Sequence, residues 1–208
     1  MSAGLEVYTS SGVLQITEQF RNLQFKSKGS IYMSDTSAYV AVGGDTDDVF
    51  AFTATHPTTT PQIMMYTFVN NGTLYVSFNG FRFSTVTYYR FGKPSLVSGS
   101  YFEVYNASGE LVFTDNAKFM KPLGMASGQW SGSSYTVDTI TFDSSKSTAV
   151  IRGAEPMIEA TQGYSDLGED FKFYSSYIEL WSPVLSSDVT WSKVKPYYHF
   201  MIVDVTGY

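Results

Sequence analysis

The chain has 208 residues and a formal net charge of −6, with 43% apolar, 17% aromatic and only 15% charged side chains. That apolar content excludes a disordered chain, the lack of cysteine excludes disulfides and thiolate metal sites, and the wealth of Tyr, Phe, Ser, Thr and Gly favours strands and turns over helices. No apolar run approaches the length of about 18 residues that a membrane-spanning helix needs, and neither half has the basic stripe that a nucleic-acid backbone demands.

In chain order, Leu5-Glu-Val-Tyr8 and Val13-Leu-Gln-Ile-Thr17 read as a hairpin around Thr9-Ser-Ser-Gly12, with Gly12 at the positive-φ position of the turn. The opening Met1-Ser-Ala-Gly-Leu-Glu-Val7 has neither the basic nor the apolar region of a signal peptide. Residues 18–36 follow no clear period. Strands are expected at 38–42, 49–53 and 62–69, with the proline-bounded His56-Pro-Thr-Thr-Thr-Pro61 as a loop between the last two. Asn70-Asn-Gly72 then turns the chain into 73–78, where Leu74, Val76 and Phe78 alternate with Thr73, Tyr75 and Ser77; one face is core and the other partly wet. Residues 81–91 read as one long strand, and 92–100 as a boundary. Beyond it, strands are expected at 101–106, 110–114, 134–142, 147–152, 171–181 and 188–205, with Asn106-Ala-Ser-Gly109 repeating the first turn and Gly109 taking the place of Gly12.

That last correspondence is part of a longer one. Gly4–Thr17 and Tyr101–Thr114 share seven of fourteen residues: Glu6/Glu103, Val7/Val104, Tyr8/Tyr105, Ser11/Ser108, Gly12/Gly109, Leu14/Leu111 and Thr17/Thr114. A second echo, Tyr88-Tyr-Arg-Phe91 and Tyr197-Tyr-His-Phe200, closes each half. The two echoes imply a tandem duplication with units at 1–97 and 98–208, each a small β-sandwich-like or barrel unit, so that the fold is all-β. The second echo is offset by about a dozen residues more than the first, and the polar, turn-rich stretch 163–170 is the natural place for that insertion. The halves differ in charge: 1–97 holds six basic and six acidic side chains, whereas 98–208 holds seven and thirteen.

Chemistry is sparse. His56 sits in a loop and His199 in an alternating apolar strand, and no Gly-x-Ser-x-Gly elbow, Walker loop or dinucleotide glycine pattern accompanies them. Asp45-Thr-Asp-Asp48 is the best metal-like cluster, ahead of Gly168-Glu-Asp170; Asp45, Asp47 and Asp48 offer hard oxygen ligands to a cation such as Ca²⁺, but the glycine and distal glutamate of an EF-hand loop are missing, and a solvated turn explains them better. No catalytic residue and no cofactor is assigned. Trp130, Trp181 and Trp191 are candidate contact aromatics, able to stack on sugar rings, to cover subunit contacts or to fill a core.

The strand-turn-strand phrase at 4–14, written again at 101–111, resembles the "GLEVYNASG-L" opening of small structural proteins from the tails of long-tailed bacteriophages. The resemblance implies a non-enzymatic virion component of the tail tip or tail fibres, made in the host cytoplasm, contacting other tail proteins and forming homo-oligomers. Two other readings remain: a module binding a host-surface glycan or receptor through exposed Trp and Tyr, and a hydrolase of envelope polysaccharide. Strand edges left open for augmentation suit the first.

Overall fold

Apolar runs alternate with polar turns along the chain, and among the described residues every regular element is a β-strand. The computed structural model describes residues 6–8, 14–17, 22–129, 136–153, 157–160, 170–181, 191–195 and 197–208. The first half supplies β1 (Glu6–Tyr8), β2 (Leu14–Thr17), β3 (Gln24–Tyr32), β4 (Ser37–Ala41), β5 (Val49–Thr55), β6 (Gln62–Asn70), β7 (Thr73–Gly80) and β8 (Thr85–Gly92). The second supplies β9 (Glu103–Tyr105), β10 (Leu111–Thr114), β11 (Lys121–Gln129), β12 (Thr136–Thr141), β13 (Thr148–Arg152) and β14 (Met157–Ala160). It continues with β15 (Asp170–Phe173), β16 (Tyr177–Trp181), β17 (Trp191–Lys195) and β18 (Tyr197–Asp204).

The two hairpins share one register. Glu6↔Thr17, Val7↔Ile16 and Tyr8↔Leu14 in β1–β2 are matched by Glu103↔Thr114, Val104↔Phe113 and Tyr105↔Leu111 in β9–β10, with the irregularity at the same step. Gly109 has φ +77°, as the turn requires, and Asn106 organises the loop. Its side-chain oxygen accepts from the N–H groups of Ser108 and Glu110 at 3.0 and 2.9 Å, the Asx-turn chemistry that makes Asn a turn residue. Gly12 lies outside the described residues.

Most of the remaining strands build two six-stranded antiparallel sheets. The first runs β11-β18-β13-β5-β8-β3 and the second β12-β16-β15-β6-β7-β4, while β14 and β17 pair as a separate ribbon. The expected all-β, sandwich-like class is therefore what the chain adopts, and the two halves are joined within it. Each half gives three strands to each sheet. Matching β3 with β11, β4 with β12, β5 with β13, β6 with β15, β7 with β16 and β8 with β18 makes each strand order its own mirror image.

The main core lies between the sheets and draws on both halves. Phe52 of β5 meets Phe78 of β7 at 6.2 Å between ring centres, and Phe171 and Phe173 of β15 edge-on at 5.9 and 5.4 Å; Phe200 of β18 closes on Phe171 at 5.2 Å. Burying each such ring stabilises the fold by about 1.5–3 kcal/mol relative to leaving it in water. A second, smaller core covers the outer face of the first sheet, where Ala51, Phe91, Ala149 and Val203 are shut off by Leu23, Phe25, Met120 and Tyr208. This explains why β5 reads as an apolar run without alternation: it is buried on both faces. The edges of the first sheet are tied beneath this cover. Phe25 N–H donates to the Lys118 carbonyl at 2.7 Å, Met120 N–H donates to the Leu23 carbonyl at 2.8 Å, and the Tyr208 hydroxyl donates to the Phe119 carbonyl.

Two pairings recur across the halves. Gly29 on β3 faces Tyr88 on β8, and Gly128 on β11 faces Tyr198 on β18; in both, a tyrosine ring lies over an edge-strand glycine and fills the room a side chain would take. Asp48 and Arg90 form an ion pair at 3.6 Å, and Lys146 and Asp204 form another at 3.3 Å. With Ala51 matched to Ala149, Arg90 (opposite Phe50) corresponds to Asp204 (opposite Thr148), and Asp48 corresponds to Lys146. The same place holds a pair of reversed sign.

Several expectations are corrected. The long strand at 81–91 begins only at Thr85, because residues 81–84 turn, with Phe83 at φ +67°. The run 171–181 breaks into β15 and β16. The second echo does not occupy equivalent faces: Tyr89 and Phe91 point into the outer core, whereas Tyr198 and Phe200 point into the main core. The insertion expected at 163–170 lies outside the described residues apart from Asp170 at the start of β15.

Candidate functional site

A cluster of four aromatic rings, with Tyr39 and Tyr66 exposed, sits on the outer face of the second sheet. In β6 the alternation buries Ile63 and Met65 and turns Tyr66 and Phe68 outward; in β7 it buries Leu74, Val76 and Phe78 and sets Tyr75 and Ser77 on the outer face, where Ser77 is itself buried. The pairing then sets two rows across three strands, Tyr39–Ser77–Tyr66 and Ala41–Tyr75–Phe68. Phe68 and Tyr75 stack at 5.1 Å with 9° between planes. Tyr39 stands edge-on to both, at 6.3 and 6.0 Å, and Tyr66 adjoins Phe68 at 6.3 Å. Tyr39 keeps 67% of its surface exposed and Tyr66 keeps 39%, so the cluster offers rings and hydroxyls to solvent from a rigid sheet. The corresponding part of the second half is different: Tyr174 and Tyr177 stack at 4.1 Å there, and the Tyr174 hydroxyl donates to Glu179 at 3.3 Å.

Beside the start of β4, the turn 81–84 presents Phe81 and Phe83 to solvent with Arg82 between them. The turn is held by Phe81 N–H to the Gln62 carbonyl at 3.1 Å and Phe83 N–H to the Met33 carbonyl at 2.6 Å. A bulky residue at positive φ costs about 1–3 kcal/mol and persists only where its surroundings fix it.

A cleft of about 780 Å³ opens where the two halves meet, lined by threonines of β5 and the 58–60 loop, by His56, Lys146 and Tyr174. Among the described residues none that lines it is Asp or Glu, whereas glycoside hydrolysis needs two carboxyl groups about 5–9.5 Å apart. His56 holds its own loop, its Nδ1 accepting from the N–H groups of Thr58 and Thr59 at 3.2 Å each. Lys146 is engaged by Asp204. Among the described residues two carboxyl groups are displaced from their ordinary affinity, both downward: Asp143 by the N–H and hydroxyl of Ser145, and Asp204, against its burial, by Thr206 and Lys146.

Asp45, Asp47 and Asp48 sit in one turn but serve it from within. Asp48 accepts from the Asp45 N–H at 3.1 Å and faces Arg90, while Lys93 reaches Asp45 at 3.8 Å and Asp47 at 3.3 Å. Among the described residues no group of three or more His, Cys, Asp or Glu is arranged to hold a metal ion. Trp130 lies outside the described residues; Trp181 ends β16 and Trp191 begins β17, and only their backbone positions are described. The aromatic face is thus made of tyrosines, which the sequence reading named only as a class, and a phenylalanine, with none of the three tryptophans described in it. Tyr66 and Phe68, two apart in a strand next to the Asn-Asn-Gly turn, were its sequence signal. Comparison with protein-family models, with curated proteins and with solved structures returns no match to this chain.

Proposed function

We propose that this chain is a non-enzymatic structural or adaptor component of a bacteriophage virion, associated with the tail tip or tail fibres, and that it works through protein–protein contacts. The observation that carries the contact reading is the Tyr39–Phe68–Tyr75–Tyr66 face, an exposed aromatic surface on a rigid sheet, of the composition enriched at interfaces. The virion assignment rests on the repeated hairpin phrase. The duplication belongs to the same reading, supported by the shared hairpin register, the mirrored strand orders and the sign-reversed ion pair. Mass spectrometry of purified particles tests it: the chain is expected at a fixed copy number per virion, and its absence from particles refutes the assignment.

A second reading, a host-surface glycan or receptor module, draws on the same face, because open tyrosine rings flanked by hydroxyls suit the apolar faces of sugars. Saturation-transfer NMR with host-surface polysaccharide distinguishes the two. Transfer that is lost in Tyr39→Ala favours the glycan module, and no transfer favours assembly.

A further inference from the structure

We propose that β4 is a docking edge and that its occupant is β4 of a second copy of this chain, the two strands pairing antiparallel about a two-fold axis at Tyr39. The sheets have four edge strands, and three carry features that resist pairing. In β3 these are Lys26, Lys28 and a bulge after Phe25; in β11 they are Lys121, Pro122 and a bulge at that proline; in β12 they are Asp138 and the bulge before it. Strand β4, Ser37-Ala-Tyr-Val-Ala41, has no charge, no proline and an unbroken register with β7, its one partner among the described residues.

The free hydrogen-bonding groups of this edge can be named. Gly80 N–H donates to the Thr36 carbonyl at 2.9 Å and Val42 N–H donates to the Leu74 carbonyl at 3.0 Å, so even-numbered residues face β7. Antiparallel alternation then directs the N–H and C=O of Ser37, Tyr39 and Ala41 outward. Tyr39 is the middle residue of five. A two-fold at Tyr39 therefore pairs Tyr39 with its counterpart and Ser37 with Ala41 of the other copy, using all six outward groups of each strand. Faces match as well: Ala38 and Val40 meet on the core side, and the two exposed Tyr39 rings meet on the outer side, joining both aromatic faces into one strip.

Charge does not oppose this partner. Residues 1–97 carry six basic and six acidic side chains, while 98–208 carry seven and thirteen. Association through β4 brings the neutral halves together and keeps the acidic halves at the far ends. The proposal deepens the contact reading above and is independent of the virion assignment, since particle composition and self-association are measured separately.

The test is sedimentation velocity on the full chain from about 1 to 100 µM, with Tyr39→Lys and Ala41→Pro as variants. Tyr39→Lys sets like charges against each other at the axis. Ala41→Pro removes an outward N–H that bonds nothing within the described chain. Wild type is expected to dimerise, and each variant to weaken the dimer by about tenfold or more with circular dichroism unchanged. If Ala41→Pro fails to fold, Tyr39→Lys at its exposed position gives the same readout. Hydrogen exchange at the Tyr39 amide supplies a second one, slow in wild type at high concentration and fast in Tyr39→Lys. A wild type that stays monomeric throughout overturns the proposal and leaves the edge to a heterologous strand or to none; a dimer indifferent to both variants overturns it by locating association elsewhere.

Discussion

Replacing Gly128 with alanine is the sharpest test of how the edge strands are locked. A Cβ at that position would stand 2.6 Å from the Tyr198 hydroxyl oxygen and 3.0 Å from the ring carbon that bears it, too close for either to remain. Tyr198 is 8% exposed and its hydroxyl donates to Asp138 of the opposite sheet at 2.8 Å, so displacing the ring breaks a link between the two sheets at their edge. Losing a hydrogen bond to a carboxylate costs about 1.5–3 kcal/mol, and overpacking adds about 1–3. We expect Gly128→Ala to lose about 3 kcal/mol, or about 6–12 °C of Tm at this chain length, in thermal and urea unfolding at neutral pH. Burial, and after it the bond to Asp138, pushes the Tyr198 phenol up to about 12. A folded-state pKa raised above that of the unfolded chain means a contribution fully present below pH 10 and lost as pH rises towards 12. Tyr198→Phe should therefore unfold with a shallower alkaline limb than wild type. A Gly128→Ala protein within about 0.5 kcal/mol of wild type would refute the idea that the Tyr198 ring, seated over Gly128, locks this edge.

Other outcomes follow from single contacts. Gly109→Val, at φ +77°, should destabilise the β9–β10 hairpin by about 1–2 kcal/mol, read as faster amide exchange confined to 103–114. Asp48→Ala leaves Arg90, which also donates to the Val42 carbonyl at 3.2 Å, without its counter-charge; about 3 kcal/mol should be lost in urea unfolding, and Asp48→Lys with Arg90→Asp, the order found at Lys146 and Asp204, should recover part of it. The Asp204 carboxyl is held below its ordinary value, so its contribution is present above about pH 4 and disappears as pH falls through the lowered value; Asp204→Asn should flatten the acid limb of a Tm–pH curve.

What could be read from residues alone depended on where each strand lies. The hairpins were legible because a turn glycine and an Asx loop are local devices, and β7 was legible because one of its faces is core and the other is not. Strand β3 was not: as an edge strand it carries Lys26, Lys28 and Gly29, and the bulge after Phe25 breaks its alternation. The 88–91 and 197–200 echo misled for a related reason. A frame error of one residue reverses the face of every side chain, and aromatic identity carries no record of which face is inward. The site was half legible. Aromatic surplus pointed to contact surfaces, but the residues that form the open face are chosen by cross-strand pairing between β4, β7 and β6, which no local pattern encodes.

The sharing of both sheets between the halves has a consequence during synthesis. Strand β5 has no β13 beside it, and β6 no β15, until about a hundred further residues have left the ribosome, because Phe52 pairs with Val150 and Ile63 with Phe171. For that interval the nascent first half exposes two bare, apolar central strands, and the closing step joins contacts very distant in sequence, which is slow. Translation speed and chaperone supply should therefore govern the yield of native protein more than the stability of the finished fold.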